Sequence, residues 1–160
     1  MLQPWGTFAT LWANHPANQV PRVIEPCATN GVRHHANQCV IRLGIALSNA
    51  GVSLASFNGT FCWNGHGRRH PLRVEEIKEW INPDAATFAP SYAEKYVRDR
   101  QGRQQSHHSF IGRQGIVAFL NFWGTGNTGD HIDLWDGSSI AYGQNNYFEL
   151  SQEIWLWQIP

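Results

Sequence analysis

The run Cys39-Val40-Ile41-Arg42-Leu43-Gly44-Ile45-Ala46-Leu47 is apolar on nearly every side of a helix, so it belongs at the centre of a fold rather than on its surface. Polar Asn37 and Gln38 precede it and Asn49-Ala50-Gly51 follow it, start and stop signals that bound the helix. Cys39 is then a first-turn residue. A thiol in that place faces unpaired backbone N–H groups and the positive end of the helix dipole, both of which favour the thiolate. Burial of the helix holds the sulfur in position, as a nucleophile requires. The Cys39 N–H, with a neighbouring N–H or the side-chain amide of Gln38 or Asn37, is a candidate oxyanion hole.

The rest of the chain divides into a helical first half and a stranded second half. Phe8, Leu11 and Trp12 are spaced for a short amphipathic helix ending at His15-Pro16, and Pro21 to Gly31 reads as irregular chain. Ser53 to Gly67 reads as a loop, and Leu72, Val74, Ile77, Trp80 and Ile81 form a helical stripe stopped by Pro83. Weak periodicity over Asp84 to Gly112 predicts a long surface excursion with at most short helical pieces. From Gly115 the pattern changes: Ile116 to Trp123 suits a covered strand, His131 to Trp135 a second, and Asp136-Gly137 a hairpin turn returning through Ser138 to Tyr142. Ile154 to Ile159 supplies a last strand. This order predicts an α+β fold, N-terminal helices packed on an antiparallel sheet, in one domain spanning residues 1–160.

A chain of 160 residues, 42% hydrophobic and 15% charged, is long enough to bury a core unaided and is not of disordered composition. With 12 basic and 12 acidic residues it carries no footprint for nucleic acid or an anionic membrane. No segment approaches a membrane-spanning length, and Met1 to Gly6 lacks the features of a signal peptide. Eight Trp, eight Phe and four Tyr point to an aromatic-lined groove for a peptide or sugar-like ligand, formed by loops around Trp63 and Trp123. Of the three cysteines, Cys27 and Cys62 are able to pair in an oxidising compartment or to stand as structural thiols, which leaves Cys39 as the reactive one.

A base for that thiol is available in Gly129-Asp130-His131-Ile132-Asp133-Leu134-Trp135, whose alternation places His131 and Asp133 on one face of a strand. A helix-borne Cys facing a strand-borne His is the layout of papain-like thiol peptidases. Asp133, about 6–7 Å along the strand from His131, is one candidate to orient the imidazole; Gln144 and Asn145 on the returning segment are others. His34-His35, His66, His70 and His107-His108 show no metal-ligand spacing with a Cys or carboxylate, so neither a metal nor a cofactor is expected.

The segments Phe8 to Trp12, Asn37 to Leu43, Gly115 to Phe119 and Asp130 to Gly137 together resemble the type VI secretion amidase effectors of family four, a branch of the NlpC/P60-like, papain-like cysteine peptidases. The resemblance covers almost the whole chain and rests on its Cys-x-Ile-Arg-Leu and Gly-x-His-Ile-Asp-Leu-Trp-x-Gly motifs. It implies a murein endopeptidase that cuts the stem peptide between D-glutamate and meso-diaminopimelate, with Cys39 as nucleophile and His131 as base. It further implies injection by the type VI machinery into the periplasm of rival Gram-negative cells, and a periplasmic immunity protein that plugs the groove. Some members carry a catalytic Asp between two disulfide-bonded Cys on the segment after the His; Ile140-Ala141-Tyr142-Gly143-Gln144 stands there in this chain, so the orienting role passes to Asp133, Gln144 or Asn145. Rival readings are a thiol acyltransferase or deamidase on the same scaffold, and a non-catalytic aromatic-rich glycan- or peptide-binding module in which Cys39 is merely buried.

Overall fold

The computed structural model describes residues 6–62, 69–82, 93–97, 106–124 and 129–160. Helix α1 (Phe8–Asn14) starts where the Thr7 hydroxyl accepts the Thr10 N–H, and ends at His15, which leads into a 3-10 turn over Pro16–Asn18. A two-stranded ribbon, β1 (Ala28–Thr29) and β2 (Val32–Arg33), follows. Its turn residues Asn30 and Gly31 both have positive φ, the requirement of a tight hairpin turn that Asn-Gly meets readily. The irregular segment expected up to Gly31 thus ends in a small hairpin.

Helix α2 (Cys39–Asn49) matches its expected limits, and Cys39, Val40, Ile41, Leu43, Ala46 and Leu47 are all buried. It lies against α1 and against β5, an edge strand of the main sheet. Helix α3 (Val74–Ile81) buries Val74, Ile77 and Ile81; Pro83, its expected stop, lies outside the described residues. No described helix is long and apolar enough to cross a membrane.

The main sheet is antiparallel throughout, in the order β3 (Ala93–Val97), β6 (Glu153–Gln158), β4 (Gly115–Leu120), β5 (His131–Trp135). Every residue of β4 and β5 is buried. One face of the sheet, with Ile116, Ala118, Ile132 and Leu134, joins the helices in the larger core. Val117, Phe119 and Trp135 on the other face pack with Phe110 and with Phe148 of the short helix α4 (Tyr147–Leu150). Helices first and sheet afterwards, the α+β order expected from the pattern, is the order found.

Two expectations are corrected. The stretch read as a long excursion contains β3, which pairs with the chain's last strand from Ala93↔Trp157 to Val97↔Glu153; the neighbouring residues 83–92 and 98–105 lie outside the described residues. The segment after β5 does not return as a strand. It makes a single bridge, Trp135↔Ile140, because carboxylates take the amides that a ladder would use: Asp136 Oδ1 accepts the N–H groups of Ser138 and Ser139, and Asp133 Oδ2 that of Tyr142.

Strands β4 and β6 approach closely at Gly115, where an added Cβ would lie 2.0 Å from the Trp157 carbonyl oxygen. Backbone cannot yield as a flexible side chain does. Gly115→Ala is therefore expected to lower the free energy of unfolding by about 1–3 kcal/mol, the usual cost of overpacking. Urea denaturation checks this, and an unchanged midpoint would count against so close a strand approach.

Candidate active site

Cys39 is the first residue of α2 and is only 2% exposed. Its N–H donates to Asn37 Oδ1 at 3.1 Å, while Asn37 Nδ2 donates to the Asp130 carbonyl across the groove at 3.4 Å. Asn37 therefore joins the helix start to the residue that precedes β5. Gln38 is placed otherwise than the oxyanion-hole expectation has it. Its Oε1 accepts the Cys27 N–H, and its Nε2 donates to the carbonyls of both Cys27 and His35. Both amide hydrogens are engaged, so Gln38 clamps backbone beneath the site and has no donor left to face a substrate.

His131 opens β5, close enough to Cys39 for the thiol to raise its affinity for a proton. Its Nε2 lies 3.2 Å from Asp133 Oδ2. The ring is held between Phe119, stacked at 6.3 Å between centroids, and Tyr147 at 5.0 Å. Gly143 passes close by; a side chain there would meet Ile140 Cδ1 at 2.6 Å and reach within 3.5 Å of His131 Nε2, and its φ of +143° lies where glycine is favoured.

Asp133 is 1% exposed and is surrounded by donors. Oδ2 accepts from His131 and from the Tyr142 N–H at 2.8 Å; Oδ1 accepts the Leu134 N–H at 2.8 Å and lies 3.0 Å from His15 Nε2, at an oblique angle. His15 Nδ1 accepts the Ala17 N–H, which places the imidazole proton on Nε2, toward Asp133. Burial alone would raise the Asp133 carboxyl, but the hydrogen bonds and charges of His131 and His15 hold it well below the usual carboxylate range. Burial likewise opposes charge on His131, yet the hydrogen bonds to Asp133 and Cys39, with the charges of both, carry it from 6.5 up to about 9. The ring therefore carries a proton over the physiological range.

Of the three candidates for the orienting group, only Asp133 reaches His131. Gln144 is exposed, and Asn145 donates its amide to the Ser138 carbonyl. His15 is the residue that sequence reasoning missed. Its one signal was its place just after a helix and before a proline, where a histidine side chain serves equally well as a cap.

The site sits at the floor of a groove of about 460 Å³, whose lining includes Asn37, Arg42, Phe122, Trp123, Asp130 and His131. A second hollow of about 480 Å³ shares Tyr142, Gly143 and Tyr147 with it. Trp123 is 79% exposed and bears out the expected aromatic lip; Trp63 lies outside the described residues. Arg42, a buried cation on α2, spans the groove floor: Nη1 donates to the Ile24 carbonyl, the guanidinium stacks 4.5 Å from the Tyr142 ring centroid, and Nε has no hydrogen-bond partner.

Elsewhere, Cys27 and Cys62 lie with their sulfurs 3.5 Å apart, and His35 Nε2 is 3.4 Å from Cys62 Sγ. Burial and the neighbouring Cys62 push the Cys27 thiol up to about 12, the opposite of an activated nucleophile. The expectation of no metal rested on local spacing; the fold gathers these donors from three separate segments.

A thiol at a helix start, an imidazole on an antiparallel strand and a buried carboxylate behind it define a papain-like cysteine hydrolase. Residues 35–157 match the family model described as type VI secretion system (T6SS) amidase effector protein 4, Tae4, and the chain belongs to that family. It is an amidase effector of a type VI secretion system, delivered to target cells. Among solved structures, the type VI effector Tae4 from Enterobacter cloacae is 19% identical with a TM-score of 0.69, all of both chains being covered. The Tae4–Tai4 effector–immunity complex from Salmonella Typhimurium is 18% identical with a TM-score of 0.67, and that from Enterobacter cloacae 17% identical with 0.66; each covers 99% of both chains. By sequence, no curated protein matches.

The raised His131 sets an alkaline limit on stability. The protonated ring stabilises the fold fully below its unfolded value near 6.5, and that contribution is lost as pH rises through about 9. Urea unfolding across this window should show stability falling in the wild type and a flatter profile in His131→Gln. An equal slope in both would assign the fall to another group.

Proposed function

We propose that the domain, residues 1–160, is a peptidoglycan DL-endopeptidase that hydrolyses the D-glutamyl–meso-diaminopimelate bond of the murein stem peptide in the periplasm of target Gram-negative cells. The observation that carries the reading is a buried thiol at the start of α2, an imidazole that lines an open groove and feels that thiol, and a carboxylate hydrogen bonded to the imidazole, in a member of an amidase effector family.

Cys39 is the nucleophile. The sulfur attacks the amide carbonyl carbon to form an S–C bond, with the proton it gives up held on His131. The oxyanion competes with Asn37 Oδ1 for the Cys39 N–H, and the Asn37 amide turns to offer its own donors. As the C–N bond breaks, His131 gives its proton to the leaving amine. Water then adds to the thioester with His131 taking its proton, the S–C bond breaks, and the carboxylate product leaves. Asp133 orients the imidazole and stabilises its charged form, and His15 orients Asp133.

The groove suits a stem peptide. Such peptides carry several carboxylates, and Arg42, held by the Ile24 carbonyl and the Tyr142 ring, brings a fixed guanidinium charge to the groove. The exposed Trp123 offers an apolar face beside it. An inhibitory immunity protein seated over this mouth is the natural partner, in keeping with the effector–immunity complexes of the structural relatives.

Mass spectrometry of diaminopimelate-type muropeptides should show stem cleavage by the wild type and a loss of at least about 10³-fold in rate for Cys39→Ala. Asp133→Asn should cost about 10²–10⁴-fold, since an amide can neither accept from all four donors nor stabilise the imidazolium. If another bond is cut, the substrate assignment changes and the mechanism stands. If Cys39→Ala retains its rate, the mechanism fails.

A further inference from the structure

Behind the active site, Cys27, His35 and Cys62 turn their donor atoms toward one another. Cys27 is fully buried, Cys62 is 6% exposed and His35 is half-buried. One ligating atom from each lies within 4.8 Å of the other two. The individual separations are 3.5 Å between the two sulfurs and 3.4 Å from His35 Nε2 to Cys62 Sγ.

These are not the distances of a disulfide, whose sulfurs bond at about 2.05 Å. They are close to those of a tetrahedral metal centre. With Zn–S near 2.3 Å and Zn–N near 2.0–2.1 Å, two sulfurs on one zinc stand about 3.8 Å apart, and a sulfur and an imidazole nitrogen about 3.6 Å. The donor set is also chemically selective, since thiolate and imidazole suit zinc far better than magnesium or calcium.

We propose that Cys27, His35 and Cys62 form a structural site for a thiophilic divalent cation, zinc above all, and fill three of its coordination positions. Binding replaces the two thiol protons with the metal, releasing two protons to solvent and changing no oxidation state. The half-buried edge of His35 is the way in.

The placement gives the ion a task. Gln38, the residue before the nucleophile, grips the backbone of Cys27 on both its N–H and its carbonyl and also holds the His35 carbonyl. Ile41, on the first turn of α2, packs directly against Cys27 and Cys62. An ion here joins the chain on either side of the hairpin to the segment at Cys62 and braces the start of α2 from beneath. It touches neither substrate nor the reacting atoms, so its role is positioning.

The test is cobalt titration of the metal-free, reduced full chain, because Co²⁺ occupies zinc sites and reports thiolate ligation by charge-transfer absorption. The wild type should develop that absorption to about one equivalent and lose it when Zn²⁺ is added. Cys39→Ala, which leaves the three donors intact, should behave alike. Cys27→Ser should lose most of the band. His35→Asn, a change at the half-buried ligand that keeps the core intact, should weaken cobalt binding at least about tenfold while its far-ultraviolet circular dichroism stays that of the wild type. Zinc should raise the thermal midpoint of the wild type and not that of His35→Asn.

The proposal is overturned if the reduced wild type shows no thiolate–cobalt band. It is overturned equally if the band disappears in Cys39→Ala but survives in Cys27→Ser, which would put the metal on the catalytic thiol. Formation of a Cys27–Cys62 disulfide in the presence of excess zinc, read as the loss of two hydrogens by intact mass, would also overturn it in favour of a covalent brace. Muropeptide cleavage enters none of these outcomes, so the metal site and the peptidase reading stand or fall separately.

Discussion

The arrangement of the molecule turns on one buried carboxylate. Asp133 is excluded from water, and an uncompensated charge there would be prohibitive. Its two oxygens are instead met by two imidazoles and two backbone amides, drawn from the end of α1, from β5 and from the segment that follows β5. That is about the full accepting capacity of a carboxylate. The same interactions that make the charge tolerable align His131 and hold its proton. A demand of stability and a demand of catalysis are satisfied by one set of hydrogen bonds.

The Cys39 thiol is fixed by a different device. Position 39 gains its place from the burial of α2, whose apolar sides are covered by α1, the sheet and α3 in one core. The helix end itself has no side-chain cap from Gln38. Asn37 supplies the acceptor for the Cys39 N–H, and Gln38 faces the other way to bind the chain at Cys27 and His35. Two adjacent amides thus divide the work, one on the groove side and one on the structural side. This division explains why a polar pair precedes a helix that is otherwise almost wholly apolar.

How far the chain could be read in advance follows from the range of each interaction. The limits of α2, the alternation of β5 and the facing of His131 and Asp133 are local, set by helical and strand periodicity, and the pattern carries them. Gln38 misled because its residue type suits an oxyanion donor, while its true partners lie eleven residues upstream and at His35. The approach of His15 to Asp133 and the gathering of His35 with Cys27 and Cys62 are contacts of tertiary structure that local spacing does not encode. Strand β3 was hidden for a related reason: five residues that pair with the chain's last strand need little periodicity of their own. The missing return strand shows the reverse case. Asp136-Gly137 does make its turn, but the acidic side chains nearby outcompete a neighbouring strand for the amides that follow.

With no acid over Ile140 to Gln144, the carboxylate that reaches His131 is Asp133. A carboxylate two residues from the histidine on one strand shares its face by the geometry of the pleat, and its relation to the ring does not depend on how a loop closes. The segment after β5 is left with a lesser duty, giving the Tyr142 N–H to Asp133 and passing Gly143 beside the imidazole. On the far oxygen the strand supplies one donor, the amide of Leu134, and what it cannot supply is the second. That comes from His15, whose ring is set by the turn after α1. The Asp133 carboxylate thus needs the first helix in place, which links folding of the N-terminal segment directly to the geometry of a site formed mostly in the C-terminal half.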